Sequence, residues 1–244
     1  MYDLIVRGGL IVDGSGEAPR EGDIAVSDGR IVSVGSVEGE AREEIDARGL
    51  AVTPGFVDIH THYDLELEMA PGLPESTRHG TTSVVIANCS LGLAFGAQRK
   101  EGADPIVDCY ARVENIPKSV LKSAADKVSW NTPQEYLNHL DGLKLGPNVV
   151  PLYPHSMLRV EVMGFQDSIS RAPSKDEMLT MQRLLDEGLS MGYAGFSTDA
   201  LPFHYLANRP NTHLTIPTQF ASYKEIKALT QVVREKGAIW QATP

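Results

Sequence analysis

The chain has 244 residues, 42% of them hydrophobic and 22% charged, a globular composition long enough to bury one large core or two small ones. A net charge of −10 with no Lys/Arg block argues against a nucleic-acid partner, because phosphate binding needs a concentrated cationic face. Two cysteines make no disulfide framework, no signal-peptide pattern opens the chain, and no apolar run approaches the roughly 18 residues of a membrane span. A reduced, cytoplasmic protein without a membrane partner is the expectation.

The first fifty residues read as short strands and tight turns. Strands are expected at 2–7, 10–12, 23–26, 30–34, 44–47 and 50–52. Gly8-Gly9 interrupts the first pair, Asp13-Gly-Ser-Gly16 is turn chemistry, and Asp28-Gly29 favours a hairpin. No helical period appears, so residues 1–52 are read as a small β module.

From residue 53 strands and helices alternate. Apolar strands are expected at 55–59, 81–87, 148–153, 193–197 and 238–241. The run Thr81-Thr-Ser-Val-Val-Ile-Ala87 is the type of strand buried on both faces. A helix over 132–140 begins with Thr132-Pro133, a cap and first-turn pair. Ser174-Lys-Asp-Glu177 is a capping box before an apolar stripe, and 222–236 repeats that stripe and ends at Gly237. Such alternation argues for a parallel α/β sheet, barrel or open, over 53–244. Residues 96–131, broken by Pro105 and Pro117, read as a long insertion between the second and third of these strands.

The chemistry-bearing residues stand at strand ends. His60-Thr61-His62 follows the strand at 55–59, and residues two apart in extended chain point to one side, so both imidazoles can reach one zinc-like ion. Asp58 shares their parity, either orienting an imidazole or closing the strand end in an ion pair; Asp64 keeps the parity but falls in a loop. Cys89 ends the strand at 81–87, where it is either a thiolate ligand or a small buried hydrophobe. Cys109 has no such placement and reads as structural. His204 and His213 lie in an irregular Pro- and Asn-rich stretch, 199–218, and read as surface residues of a loop above the strand ends; His79 and His139 read as ordinary exposed or helix residues.

Together these motifs resemble the amidohydrolase superfamily, with the N-acyl-D-amino-acid deacylase (D-aminoacylase) branch as the nearest likeness, over the whole chain. The likeness rests on Asp3-Leu-Ile-Val-Arg-Gly-Gly-Leu-Ile-Val-Asp-Gly-Ser-Gly16, Pro54-Gly-Phe-Val-Asp-Ile-His-Thr-His-Tyr-Asp64 and Gly80-Thr-Thr-Ser-Val-Val-Ile-Ala-Asn-Cys89. It continues in Asn148-Val-Val-Pro-Leu-Tyr-Pro-His-Ser-Met-Leu-Arg159 and Gly192-Tyr-Ala-Gly-Phe-Ser-Thr198. The resemblance implies an α/β fold: about five strands of a partial (β/α)8 TIM-type barrel preceded by a small β-sandwich module, with the site at the C-terminal mouth of the barrel. It implies one or two zinc ions, with His60, His62 and Cys89 as metal ligands. His155 and Arg159 would line the substrate pocket, Arg159 either gripping a substrate carboxylate by two prongs or making a structural ion pair. The implied reaction is hydrolysis of a non-peptide C–N bond, most nearly deacylation of an N-acyl-D-amino acid.

The same resemblance exposes departures. Two further histidine ligands are expected from strands five and six and a catalytic aspartate from strand eight. The fifth-strand position falls near Thr243, which is a poor zinc ligand, as is Gln241. No catalytic residue is therefore expected within this chain, the aspartate lying beyond Pro244. The chain reads as the N-terminal portion of a longer enzyme, one half of a split enzyme with a complementary C-terminal chain as partner, or a truncated product. A hydantoinase-like cyclic-amide hydrolase is a second reading, weakened because Gly195-Phe-Ser-Thr-Asp199 offers no lysine. A non-catalytic metal- or partner-binding fragment is a third.

Overall fold

The turn residues of the first fifty positions do what their chemistry allows. In the computed structural model, which describes residues 1–99 and 104–243, five strands precede residue 53: β1 (Tyr2–Ile11), β2 (Arg20–Ser27), β3 (Arg30–Gly35), β4 (Ala41–Asp46) and β5 (Ala51–Val52). Gly8-Gly9 does not separate two strands. It is a register shift inside β1 between Val6 and Gly9, with Gly8 in the left-handed region at φ +64°. The strands form one mixed sheet in the order β3-β2-β1-β4, antiparallel at β1–β2 and β2–β3, with β4 and β5 both parallel to β1. Its own core is small: Ile5, Ala25 and Val37.

The chain divides into two compact units, Met1–Phe56 and Val57–Pro244. The second is built on a parallel sheet of β6 (Phe56–Asp58), β7 (Thr81–Ile86), β8 (Asn148–Pro154), β9 (Gly195–Asp199) and β10 (Ile239–Thr243), in the order β10-β9-β8-β7-β6. This is a curled half-barrel of the (β/α)8 kind. The registers Ile86↔Pro151, Pro154↔Ser197 and Asp199↔Thr243 bring the C-terminal strand ends to one rim.

Nine helices are described: α1 (Asp64–Leu67), α2 (Pro74–Arg78), α3 (Pro105–Val113), α4 (Lys118–Ala125), α5 (Pro133–Gly142), α6 (His155–Met163), α7 (Phe165–Ser168), α8 (Lys175–Met191) and α9 (Tyr223–Glu235), with 3-10 turns at Gly96–Arg99 and Pro217–Phe220. The longest start where local chemistry says they should. Thr132 and Ser174 make full capping boxes with Glu135 and Glu177, and the Ser222 side chain accepts from the Glu225 N–H. Each such cap contributes about 1 kcal/mol. Pro105 does not break the 96–131 region. It occupies the first turn of α3, where its missing N–H costs nothing, after an Asp104 side chain that accepts from the Val107 N–H.

The helices cover one face of the sheet. Val84, Ile86, Tyr153 and Phe196 pack against Met181, Leu185, Leu229 and Val233. Gly188 in α8 is required by this packing: a Cβ there would lie 2.3 Å from the Tyr153 ring. The expected burial of 81–87 on both faces is not found, since Val85 is only partly buried. Among the described residues nothing covers the concave face, and Ile59, Ile239 and Trp240 stand exposed on or beside it. No helix among the described residues is long and apolar enough to cross a membrane.

Candidate metal centre

β6 stops at Asp58, and the chain bends at His60 rather than continuing extended, while Thr61 ties it to β7. The Thr61 N–H and hydroxyl both donate to the Val85 carbonyl, at 3.2 and 2.7 Å. With Thr61 buried against β7, His60 and His62 flank it, their ring centroids 5.4 Å apart. Asp58 turns back on its own chain, its Oδ1 accepting from the His60 N–H at 3.2 Å.

The end of β7 is bent sharply. Ala87, Cys89 and Ser90 all have left-handed backbones, at φ +61°, +50° and +65°, which non-glycine residues adopt only under constraint. The constraint is visible. Buried Asn88 donates from Nδ2 to the carbonyls of Thr61 (3.2 Å) and Val85 (2.9 Å), and Ser197 donates to the Ala87 carbonyl at 2.5 Å. The turn thereby aims Cys89 Sγ at His60 Nε2, 3.2 Å away, and at Thr243 Oγ1, also 3.2 Å away. Thr243, the last residue of β10, thus stands beside the sulfur with Gln241, whose Oε1 accepts from the Cys89 N–H at 3.3 Å.

One donor atom each from His60, His62 and Cys89 lies within 4.8 Å of the other two. The edge between nitrogen and sulfur in a tetrahedral zinc site is about 3.5 Å, from bonds of about 2.0 and 2.3 Å. The set therefore fits a borderline-soft divalent ion. The surrounding electrostatics point the same way. Burial raises the Asp64 carboxyl to about 7, and burial together with Asp64 and Asp199 raises Glu114 to about 7. Burial lifts the Cys89 thiol to about 11, while burial, then His60 and His204, hold the His62 imidazolium down to about 4. Asp199 is raised by burial as well. Among the described residues no Lys or Arg pairs with any of these groups, so a cation is the charge this rim lacks.

Several of these residues carried no signal in the sequence. Glu114 caps the C-terminus of α3 and brings Oε1 to 3.4 Å from His62 Nε2. A cleft of about 340 Å³ opens here, lined by Asp58, His60, His62, Tyr63, Glu66 and Glu114. His204 is not a surface residue: it is 7% exposed, 3.0 Å from Asp199 Oδ2, held down by the chain that crosses at Tyr205↔Thr215. A carboxylate at the C-terminal end of β9 was the available clue to that pair. His213 and His79 are exposed, and His139 pairs with Glu68 at 2.9 Å. Cys109 is fully buried in the apolar core.

His155 and Arg159 bond to a different set of partners. His155 does not extend β8 but opens α6, where burial lowers its pKa; its Nδ1 meets Thr218 Oγ1 at 2.8 Å and its Nε2 meets Glu225 Oε1 at 3.0 Å. Arg159, 0% exposed, donates from Nη1 to both Glu225 oxygens and from Nε and Nη2 to the carbonyls of Ser168 and Arg171. Every guanidinium edge is engaged inside the fold. This geometry matches the structural ion pair of the two alternatives for Arg159.

The amidohydrolase family profile matches residues 43–231. The chain belongs to the amidohydrolase family. An uncharacterized protein of Mycobacterium tuberculosis is 38% identical over 249 residues, covering 100% of this chain and 40% of that protein. The N-acyl-D-aspartate deacylase of Alcaligenes xylosoxydans xylosoxydans is 36% identical over 198 residues, covering 80% and 36%. Among solved structures, the N-acyl-D-glutamate deacylase of Bordetella bronchiseptica, crystallised with zinc and a phosphonate mimic of the tetrahedral intermediate, superposes with a TM-score of 0.77 at 29% identity over 99% of this chain and 44% of that one. The likeness is to the D-aminoacylase branch of the family, and the chain spans about two fifths of the length of the relatives it matches.

Proposed function

We propose that this chain carries part of the active site of a zinc-dependent amidohydrolase that deacylates an N-acyl-D-amino acid. The observation that carries the reading is the convergence of His60, His62 and Cys89 on one rim of the half-barrel. The zinc and the acylated D-amino acid are taken from the deacylase relatives.

Zinc bound there would supply Lewis acidity, lowering the pKa of water and polarising the amide carbonyl. The protein's part is preorganisation. His60 and His62 would hold the ion, and burial keeps His62 neutral, the form that ligates. Cys89 would join them as thiolate, which a cation favours against the raised pKa that burial imposes. Thr61 and Asn88 fix the two ligand-bearing turns to each other. The cleft beside His62 admits a small molecule. The open concave face, with a cavity of about 400 Å³ lined by Ile59, Val85, Val150, Leu152 and Trp240, would receive further polypeptide paired to β6 or β10.

The test is metal analysis of the purified chain with His60→Ala and Cys89→Ser beside it. A hydrolysis panel of N-acyl-D- and N-acyl-L-amino acids is run on this chain and on the full product of its gene. Bound zinc lost in both variants, and release of free D-amino acid by the full gene product, are the expected results. No zinc in the wild type, or turnover of the L series alone, would overturn the reading.

A further inference from the structure

The stretch after β9 is fastened to α3 and α4 by polar contacts. Arg112 Nη1 donates to the carbonyls of Leu206 and Thr212, at 3.1 and 2.7 Å. Lys118 Nζ donates to the Ala207 carbonyl and to Asn208 Oδ1, at 2.7 and 2.6 Å. Asp108 Oδ1 accepts from the N–H groups of Ala207 and Asn208, both at 2.6 Å. Where this stretch meets α3 and α7, a cleft of about 450 Å³ opens, with Asp108, Phe165, Arg209, Pro210 and Asn211 in its lining. None of the residues that line it lines the cleft beside His62.

Two of the lining side chains are buried without being fully satisfied. Asp108 is 3% exposed, and both of its hydrogen bonds fall on Oδ1, leaving Oδ2 without a partner among the described residues. Burial raises its carboxyl, and the Lys118 ammonium, whose charge opposes this, is committed to the loop. Asn211 is 7% exposed. Its backbone N–H donates to the Asn208 carbonyl and its own carbonyl accepts from the Leu214 N–H, but its side-chain amide has no hydrogen-bond partner among the described residues. Buried polar groups are satisfied as a rule, so two exceptions on one cleft point to a ligand that completes them. Arg209 lines the same cleft, exposed and without an ion pair among the described residues. A carboxylate oxygen is completed by a cationic donor, a guanidinium by a carboxylate held on two prongs, and a carboxamide by either a donor or an acceptor. Phe165 and Pro210 add an apolar wall. A small molecule with an ammonium, a carboxylate and an apolar side answers all of them, and the cleft is of ligand-pocket size.

We propose that this cleft binds a free amino acid, its ammonium on Asp108, its carboxylate on Arg209 and its side chain against Phe165. Asn211 holds whichever polar end faces it. The site needs no metal and stands whether or not the deacylase reading holds. Under that reading the ligand is of the class that the reaction releases.

The experiment is calorimetric titration of the protein with D-leucine and with L-leucine, and with isoamylamine and isovalerate as the two half-ligands. Amino acids also chelate metals, so the protein is first stripped with a chelator. At least one enantiomer of leucine is expected to bind, and each half-ligand to bind about tenfold more weakly or worse. Arg209→Ala and Asp108→Asn should each weaken leucine about tenfold or more, while His60→Ala leaves it unchanged. Asp108→Asn keeps the Oδ1 acceptor for the Ala207 and Asn208 N–H groups, and Arg209 is exposed, so thermal melts should find both variants folded. If Asp108→Asn does not fold, Arg209→Ala decides. No binding of either enantiomer, or an affinity unchanged in the folded variants, would overturn the site. Binding of isoamylamine as tight as that of leucine would overturn the amino-acid assignment.

Discussion

Glu225→Gln removes one charge from a triad that no water reaches. His155, Arg159 and Glu225 have side chains 0%, 0% and 1% exposed, and Glu225 accepts from both partners, at 2.6 Å from Arg159 Nη1 and 3.0 Å from His155 Nε2. A glutamine of the same volume leaves no cavity, so the loss is electrostatic. Arg159 would remain charged in the interior without its anion, and breaking a buried pair on one side costs about 3–5 kcal/mol. The amide oxygen can still accept from one partner, which puts the expected loss near the lower end, about 3 kcal/mol. For a chain of this size that is a fall in Tm of about 6–12 °C. Urea unfolding followed by tryptophan fluorescence and by circular dichroism measures it, the agreement of the two probes testing two-state behaviour. A loss below about 1 kcal/mol would refute the account. It would mean that Arg159 is not held by Glu225 in solution, reopening its role as a substrate contact.

Three further outcomes follow from local geometry. The same triad makes the fold acid-labile. The folded-state pKa of His155 lies below its ordinary 6.5 because of burial, so protons bind the unfolded chain first and stability falls as pH drops below about 6.5. Glu225, held below its ordinary range by His155 and Arg159 against the opposing effect of burial, adds a second loss at lower pH. His155→Asn should flatten the upper part of this slope in a pH series of urea midpoints; an unchanged slope would contradict the assignment. Gly188→Ala, favourable for an exposed helix, should here destabilise by about 1–2 kcal/mol, because the new methyl meets a Tyr153 ring wedged between Phe95 and Tyr193. A rise in Tm would show that the ring yields. Asn88→Ala should weaken zinc binding about tenfold or more in chelator competition by loosening the Cys89 turn; unchanged affinity would show that the turn holds its shape without that side chain.

What was legible in the sequence was local or periodic. Thr132, Ser174 and Ser222 announce their helices because a cap bonds within three residues, and the run at 81–86 announces its strand because β-branched side chains favour the pleat. His60, His62 and Cys89 were visible because each ends a legible strand. Pro105 was misread because the same residue that breaks a helix interior begins a helix well, and only position decides. Glu114, Asp199 and His204 were invisible as a group. Glu114, just past α3, meets His62, and Asp199, at the end of β9, meets His204 in the following loop, contacts that only the packed fold makes. His155 and Arg159 show the converse. Their spacing of four puts both on one face of α6, and that face turned inward to Glu225 rather than outward to the rim.

The arrangement also explains why the turn after β7 tolerates strain. Three left-handed non-glycine residues within four positions cost on the order of 1–3 kcal/mol each, and glycine at any of them would relieve it. At two of them, however, the side chain is in use: Cys89 Sγ faces His60 and Thr243, and Ser90 Oγ bonds Ser156 Oγ at 2.7 Å, tying the turn to the start of α6. Asn88 and Ser197 hold the backbone from either side. The sheet register, not the turn's own preference, therefore decides where the sulfur stands. A rim set this way holds Cys89 Sγ 3.2 Å from His60 Nε2 by the fold alone, so an ion bound between them would not have to order these two side chains.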